Sequence, residues 1–250
     1  MKKNIILLLF ILFGFTSNAK NQIVIKPENA LFNKVLKQLN LKITDVQESL
    51  YVEKIIPYNK SLTIMVIPKI ETKQIDEYKN YYYEFGLYVV VVENKTGVIK
   101  NKFFEAKSLT SDAVVLSGIE IDTAHYNINA AERAFGIRFN YSGSSGPNPY
   151  NKTELSLFIA DNKNLKRILK SYSVSEFNGE WDMNCVGEFQ EKESKLQFDN
   201  QKKSRFNNLL VKQKSTKQIN EKIKDSCVEK KSLNYKKSSL KFNIKSQSYN

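Results

Sequence analysis

The chain offers few residues that could make or break bonds, and their spacing narrows the choice further. His125 is the single histidine among 250 residues. Zinc sites built from several histidines are therefore excluded, and iron or copper centres, which also lean on imidazole, are disfavoured. A Ser-His-Asp triad would have to use His125, which sits in Asp122-Thr123-Ala124-His125-Tyr126. The nucleophile elbow G-x-S-x-G is absent. Gly143-Ser144-Ser145-Gly146 is one residue short of it and lies in a Pro/Ser loop, not a strand-to-helix turn. His125 thus reads as a surface or hydrogen-bonded loop residue. Neither G-x-G-x-x-G nor G-x-x-x-x-G-K-[ST] occurs, so no glycine loop cradles a phosphate. Asp161-Asn162-Lys163-Asn164 puts a lysine among would-be calcium ligands and lacks the glycine of a calcium loop, so it reads as a turn. No catalytic, cofactor-binding or metal residue is assigned, no cofactor is expected, and the chain is expected not to be an enzyme.

The densest chemistry lies in Gly179-Glu180-Trp181-Asp182-Met183-Asn184-Cys185-Val186-Gly187-Glu188-Phe189, which holds the only tryptophan, three carboxylates and a cysteine. Trp181 could floor a sugar site, with Glu180 and Asp182 hydrolysing the glycosidic bond. That mechanism needs carboxylates about 5–10 Å apart across a cleft, which sequence neighbours on a loop seldom supply. The structural reading is that Trp181 packs beside a disulfide while the carboxylates cap a turn.

The N-terminus carries an address. Lys2 and Lys3 precede an apolar run, Ile5 to Phe15, followed by Thr16-Ser17-Asn18-Ala19. This is the charged, apolar and small-residue order of a signal peptide, residues 1–19. The run is shorter than the roughly 20 apolar residues of a membrane span, and no cysteine lies near the cut for a lipid anchor. The expected product starts at Lys20, has 231 residues and resides in the periplasm or outside the cell. In that compartment Cys185 and Cys227 should pair. They close a loop of 41 intervening residues, a constraint of roughly 4 kcal/mol on chain-entropy grounds.

Charge is unevenly placed. Residues 201–250 carry 14 Lys/Arg against 3 Asp/Glu, while 20–200 carries 23 of each sign. A basic end on a neutral body points to an anionic envelope polymer or membrane surface, with Lys202, Lys203, Lys212, Lys214 and Lys217 as the anion-binding candidates. The plainer reading is that lysines protect strand edges from pairing with other chains. Nucleic acid is not expected. Arg205 is the lone arginine of that stretch, and few aromatics interleave to stack bases.

The elements that must position these residues are strands. One helix is expected from Pro27 to Asn40, where Leu31, Phe32, Val35, Leu36 and Leu39 recur at helical spacing. From about Leu50 the period becomes two. Leu62, Ile64 and Val66 alternate with Thr63, Met65 and Ile67. Tyr81 to Val92 is apolar on both faces, with Gly86 as the natural place for a bulge or bend. Glu93 to Gly97 then turns the chain into a hairpin. Phe135, Ile137, Phe139 and Tyr141 share one face, and Ala134, Gly136, Arg138 and Asn140 the other. Ser142 to Pro149 reads as a flexible loop. Leu155, Leu157 and Ile159 begin another hairpin. Residues 213–238 read as a long mobile loop pinned by Cys227. The expected fold is all-β: antiparallel sheets in a blade-like stack or sandwich, with one short N-terminal helix. Residues 20–48 form the helical segment and 49–250 the β domain, in three strand groups of about 50–105, 113–180 and 185–245.

The Gly179–Phe189 segment, with Arg133-Ala134-Phe135-Gly136-Ile137-Arg138, Gly146-Pro147-Asn148-Pro149, Thr153 to Phe158 and Leu209-Leu210-Val211, resembles a group of uncharacterised exported bacterial proteins sharing GEWD-x-x-C-x-GEF. More loosely the strand pattern resembles extracellular propeller-type β repeats. The resemblance implies an exported bacterial β-protein and no mechanism. The expected function is therefore a non-enzymatic binding or structural protein of the bacterial envelope. The alternatives are a secreted carboxylate-based glycan hydrolase and a module that binds anionic surface polymers through its basic C-terminal part.

Overall fold

The computed structural model describes residues 30–199, 206–243 and 248–249. The expected signal peptide and Pro27 lie outside them. Helix α1 (Ala30–Leu39) buries Phe32, Val35 and Leu36 along one stripe. Asn40 ends it at φ 54°, a left-handed conformation that asparagine tolerates. The Leu41 N–H then donates to the Leu36 carbonyl at 2.9 Å.

The rest is strand: β1 (Val52–Ile56), β2 (Asn59–Ile75), β3 (Tyr81–Glu93), β4 (Ile99–Ser111), β5 (Val114–Asn127), β6 (Arg133–Gly143), β7 (Tyr150–Asp161), β8 (Asn164–Trp181), β9 (Gly187–Phe198), β10 (Leu209–Ile223) and β11 (Ser226–Leu240). The fold is all-β with one short N-terminal helix. The three strand groups are not separate layers, because all of these strands join one eleven-stranded sheet. A small pair, β12 (Phe242–Asn243) and β13 (Ser248–Tyr249), stands apart.

In the order β1-β2-β3-β4-β8-β7-β6-β5 the sheet curls into a nearly closed barrel. Two four-stranded halves meet at two seams. At the first, β4 and β8 share one parallel bridge, Lys102 to Asn164. The Asp161–Asn164 turn supplies it. Asn101 Nδ2 donates to the Asn162 carbonyl at 2.6 Å, and the Lys102 N–H donates to the Lys163 carbonyl at 3.2 Å. Side chains complete the join: Arg167 grips Glu105 with two bonds of 2.8 and 2.7 Å, and Lys170 reaches the same carboxylate at 3.1 Å. At the second seam β1 lies beside β5, and Lys54 Nζ donates to the Ile121 carbonyl at 3.0 Å.

Apolar residues on both faces of a strand demand a cover on each side, and the barrel provides both. Ile64, Val66, Phe85, Leu87, Val89, Ile137, Phe139 and Phe158 fill the interior. Met65, Ile67, Val90 and Val92 point outward under Phe32, Val35 and Leu36 of α1. The amide of Gln38 fastens the helix down: Nε2 donates to the Gly97 carbonyl at 2.7 Å and Oε1 accepts from the Ile99 N–H at 3.1 Å. On the opposite wall Leu155, Leu157 and Leu169 face outward under Phe198, Phe206, Leu209 and Tyr249. Each large side chain so enclosed contributes about 1.5–3 kcal/mol.

Register breaks beside Gly86, the expected place for a bulge or bend, but the extra residues lie on the neighbouring strands. Register slips on β2 at Glu71 and on β4 between Glu105 and Leu109. Glu71 crosses over Gly86 to accept the Lys107 N–H at 2.6 Å. A Cβ at Gly86 would lie 2.9 Å from that carboxylate.

Of the two expected loops, the first stands over residues 144–149, with Ser142 and Gly143 belonging to β6; Trp181 and Gly179 donate their N–H groups to its Pro147 (2.9 Å) and Pro149 (3.1 Å) carbonyls. The second is corrected. Residues 213–238 are not a mobile loop. They belong to β10 and β11, which pair without a slip from Leu209–Leu240 to Ile223–Ser226. Their lysine, serine and asparagine side chains give no apolar alternation, while the ladder itself is made by the backbone and is blind to side-chain polarity.

Candidate functional site

β9, β10 and β11 form a three-stranded ribbon that leaves the barrel along the C-terminal half of β8. At its barrel end one face is apolar, with Leu209 and Val211 buried and Phe198, directly opposite Leu209, in the same cluster as Leu209. The outer face is polar. Residues directly opposite on neighbouring strands share a face, and register sets Lys212 of β10 opposite Lys195 of β9 and Lys237 of β11. All three are exposed. Neighbouring strands lie about 4.8 Å apart, so the ribbon carries a row of like charges roughly 10 Å across. Like charges in direct opposition are destabilising, and no cross-strand carboxylate stands in this row.

The five lysines singled out from sequence are dispersed. Lys202 and Lys203 lie outside the described residues. Lys212 and Lys214 share the outer face, with Lys214 set between Glu193 and Tyr235. Lys217 falls on the other face and pairs with Glu188 at 2.6 Å, which holds that carboxyl below its usual range. Sequence reasoning missed Lys195 and Lys237. Their alignment with Lys212 exists only through pairing register, and nothing local in the chain announces it.

The disulfide Cys185–Cys227 forms, with its Cα atoms 5.7 Å apart. Cys185 is buried in the β8–β9 turn and Cys227 is exposed near the β10–β11 tip. The bond therefore clamps the far end of the ribbon to the turn that starts it.

The tryptophan segment has a structural geometry. Trp181 is half-buried, its Nε1 donates to the Gly146 carbonyl at 2.7 Å, and its ring lies 6.2 Å from that of Phe189. Phe189 in turn stacks with Phe177 at 6.1 Å. One oxygen of Asp182 accepts the N–H groups of Asn184, Cys185 and Val186 at 2.8–3.0 Å. Those three donors hold its carboxyl below the usual range, so it caps the turn as an anion and is unsuited to donate a proton. Glu180 sits on the opposite face of the sheet from Trp181, directly across from Glu188.

His125 is exposed in the irregular stretch of β5 between Asp122 and Tyr126. Asp122 is engaged elsewhere: it accepts from the Ala124 N–H at 2.9 Å, the Tyr126 hydroxyl at 2.8 Å and Arg138 Nε at 2.9 Å. Burial works against its ionisation, but these donors and the Arg138 charge prevail, and its carboxyl titrates below the usual range. It pins the two sides of the β5–β6 irregularity together. Among the described residues no three His, Cys, Asp or Glu side chains are grouped to hold a metal ion, and no helix is long and apolar enough to cross a membrane. Comparison with family models, with curated proteins and with solved structures finds no match to the chain.

Proposed function

We propose that this chain is an exported, non-enzymatic binding protein of the bacterial envelope whose ribbon β9–β11 engages an anionic polymer. The row Lys195–Lys212–Lys237 carries the reading. Edge protection accounts for lysines on β11, the outermost strand, and for Lys195, which lies beyond the last β8–β9 pair at Glu193, but Lys212 of β10 is paired on both sides and has no edge to guard. A polyanion laid across the row relieves a repulsion that the fold otherwise retains. Lysine ammoniums are point charges without the planar fork of arginine, so recognition follows charge spacing rather than the identity of one chemical group. Export rests on the leader at residues 1–19 and agrees with the disulfide. The hydrolase alternative loses support from Asp182, whose carboxylate serves the turn.

The test compares the wild-type protein with a Lys195→Gln/Lys212→Gln/Lys237→Gln variant on a dextran sulfate matrix and on phosphatidylglycerol vesicles. Lys217→Gln, on the other face, is the control. The triple variant should leave the matrix at clearly lower salt while the control changes little, since each lost contact reduces the salt slope by about one. Vesicle binding without matrix retention would redirect the proposal to a lipid surface. Unchanged elution, or retention that survives molar salt, would overturn it.

A further inference from the structure

We propose that the open mouth of the barrel binds a saccharide ring of a neutral glycan, at a site separate from the ribbon. The end of β2, the start of β3 and the β4–β5 turn enclose a concavity of about 800 Å³, above the ~300 Å³ lower bound of small-molecule sites, which favour barrel mouths. Its floor is an aromatic stack that rises out of the core. Phe85 is buried in the barrel interior, Tyr83 stacks on it at 5.4 Å with an interplanar angle of 10°, and Tyr81 stacks on Tyr83 at 6.0 Å and 12°. These rings share the inward face of β3, two residues apart. The stack ends at Tyr81, which is 51% exposed and lines the concavity. Ile75, directly opposite Tyr81 on β2, is 54% exposed and lines it too.

The outer end of the stack is therefore an apolar surface held rigid by the core behind it. Around it stand hydrogen-bonding groups: Gln74, the tyrosine hydroxyls, the charged side chains of Asp76, Lys79 and Asp112, and Asn80, whose amide donates to Asp76 at 2.8 Å; the Lys73 ammonium, outside the lining, lies 5.7 Å and 5.6 Å from the Tyr81 and Tyr83 centroids. A ligand suited to both has one flat apolar face and a polar rim. A pyranose ring has that form, with axial C–H groups on a face and hydroxyls around the edge. A fully apolar ligand would leave the rim unsatisfied, and a polyanion would gain little from aromatic rings.

The test is calorimetric titration of the protein with cellohexaose, maltohexaose, xylohexaose and chitohexaose, at low salt and in 0.5 M NaCl. At least one should bind with an affinity that salt leaves unchanged. Tyr81→Ala, at an exposed position, should weaken that binding by about tenfold, the scale of one aromatic stacking contact, and leave the urea midpoint in place. Tyr81→Phe should retain it. The Lys195/Lys212/Lys237 variant should bind saccharide normally, so this site and the ribbon fail or stand independently. The proposal is overturned if none of the four saccharides binds, if Tyr81→Ala binds as tightly as wild type, or if indole occupies the mouth while every saccharide fails.

Discussion

The seam between β4 and β8 is the place where a small change should cost most per bond. One backbone bridge joins the strands, and the side-chain grip on Glu105 carries the rest. The Arg167 fork, helped by Ser108 and Lys170 and opposed by partial desolvation, lowers the Glu105 carboxyl to about 2 from the usual 4.5. A folded-state value below the unfolded one means stability that is fully present above about pH 4.5 and is lost as pH falls toward 2. Taken whole, that displacement corresponds to about 3 kcal/mol. Glu105 is 30% and Arg167 11% exposed, so solvent screening leaves about 1–2 kcal/mol. Glu105→Gln should therefore lower stability at pH 7 by that amount, read from the urea midpoint at constant slope. At pH 2–2.5 most of the difference should be gone, because the wild-type carboxyl is then substantially protonated. A difference of the same size at both pH values would mean that glutamine merely packs badly. No difference at pH 7 would mean that the fork contributes nothing to the seam.

Three further outcomes follow from particular contacts. Replacing both Cys185 and Cys227 with serine should lower stability by up to roughly 4 kcal/mol and should raise hydrogen exchange first near residues 218–231, the clamped end of the ribbon; free-thiol labelling of the denatured, unreduced wild type should find none. Gly136→Ala would place a Cβ 2.7 Å from Leu155 Cδ1 and 3.2 Å from Asp122 Cβ, so the thermal midpoint should fall by the equivalent of about 1–3 kcal/mol. Asp122→Ala strips the partner from Arg138, which ion-pairs with it at 2.8 Å, and should cost about 2–4 kcal/mol at pH 7; a loss below 0.5 kcal/mol would contradict the pinning role given to that carboxylate.

Periodicity made the strands legible. In β2, β3 and β6 alternate apolar residues identify which side chains share a face, because the pleat has a period of two whatever the sheet becomes. Helix α1 was readable from its spacing, and its end from an asparagine able to take a positive φ. The turn at Asp161–Asn164 followed from its residue types, and the cysteine pair from the compartment that the leader implies. Closure was not legible. Whether strands with two apolar faces stack in layers or curl into a barrel depends on which strands become neighbours, and the joining contacts, Glu105 with Arg167 and Lys102 with Asn164, are separated by about 60 residues. The ribbon escaped for a different reason: its strands pair through the backbone, while their polar side chains carry no burial signal. The same holds for both proposed sites. Local sequence marked the excess of lysine and the run of tyrosines, since charge and aromatic content are properties of residues. Only the tertiary structure decided that Lys195, Lys212 and Lys237 stand in one row and that the ring stack from Phe85 opens at the barrel mouth, because register, closure and exposure are properties of pairs of distant segments.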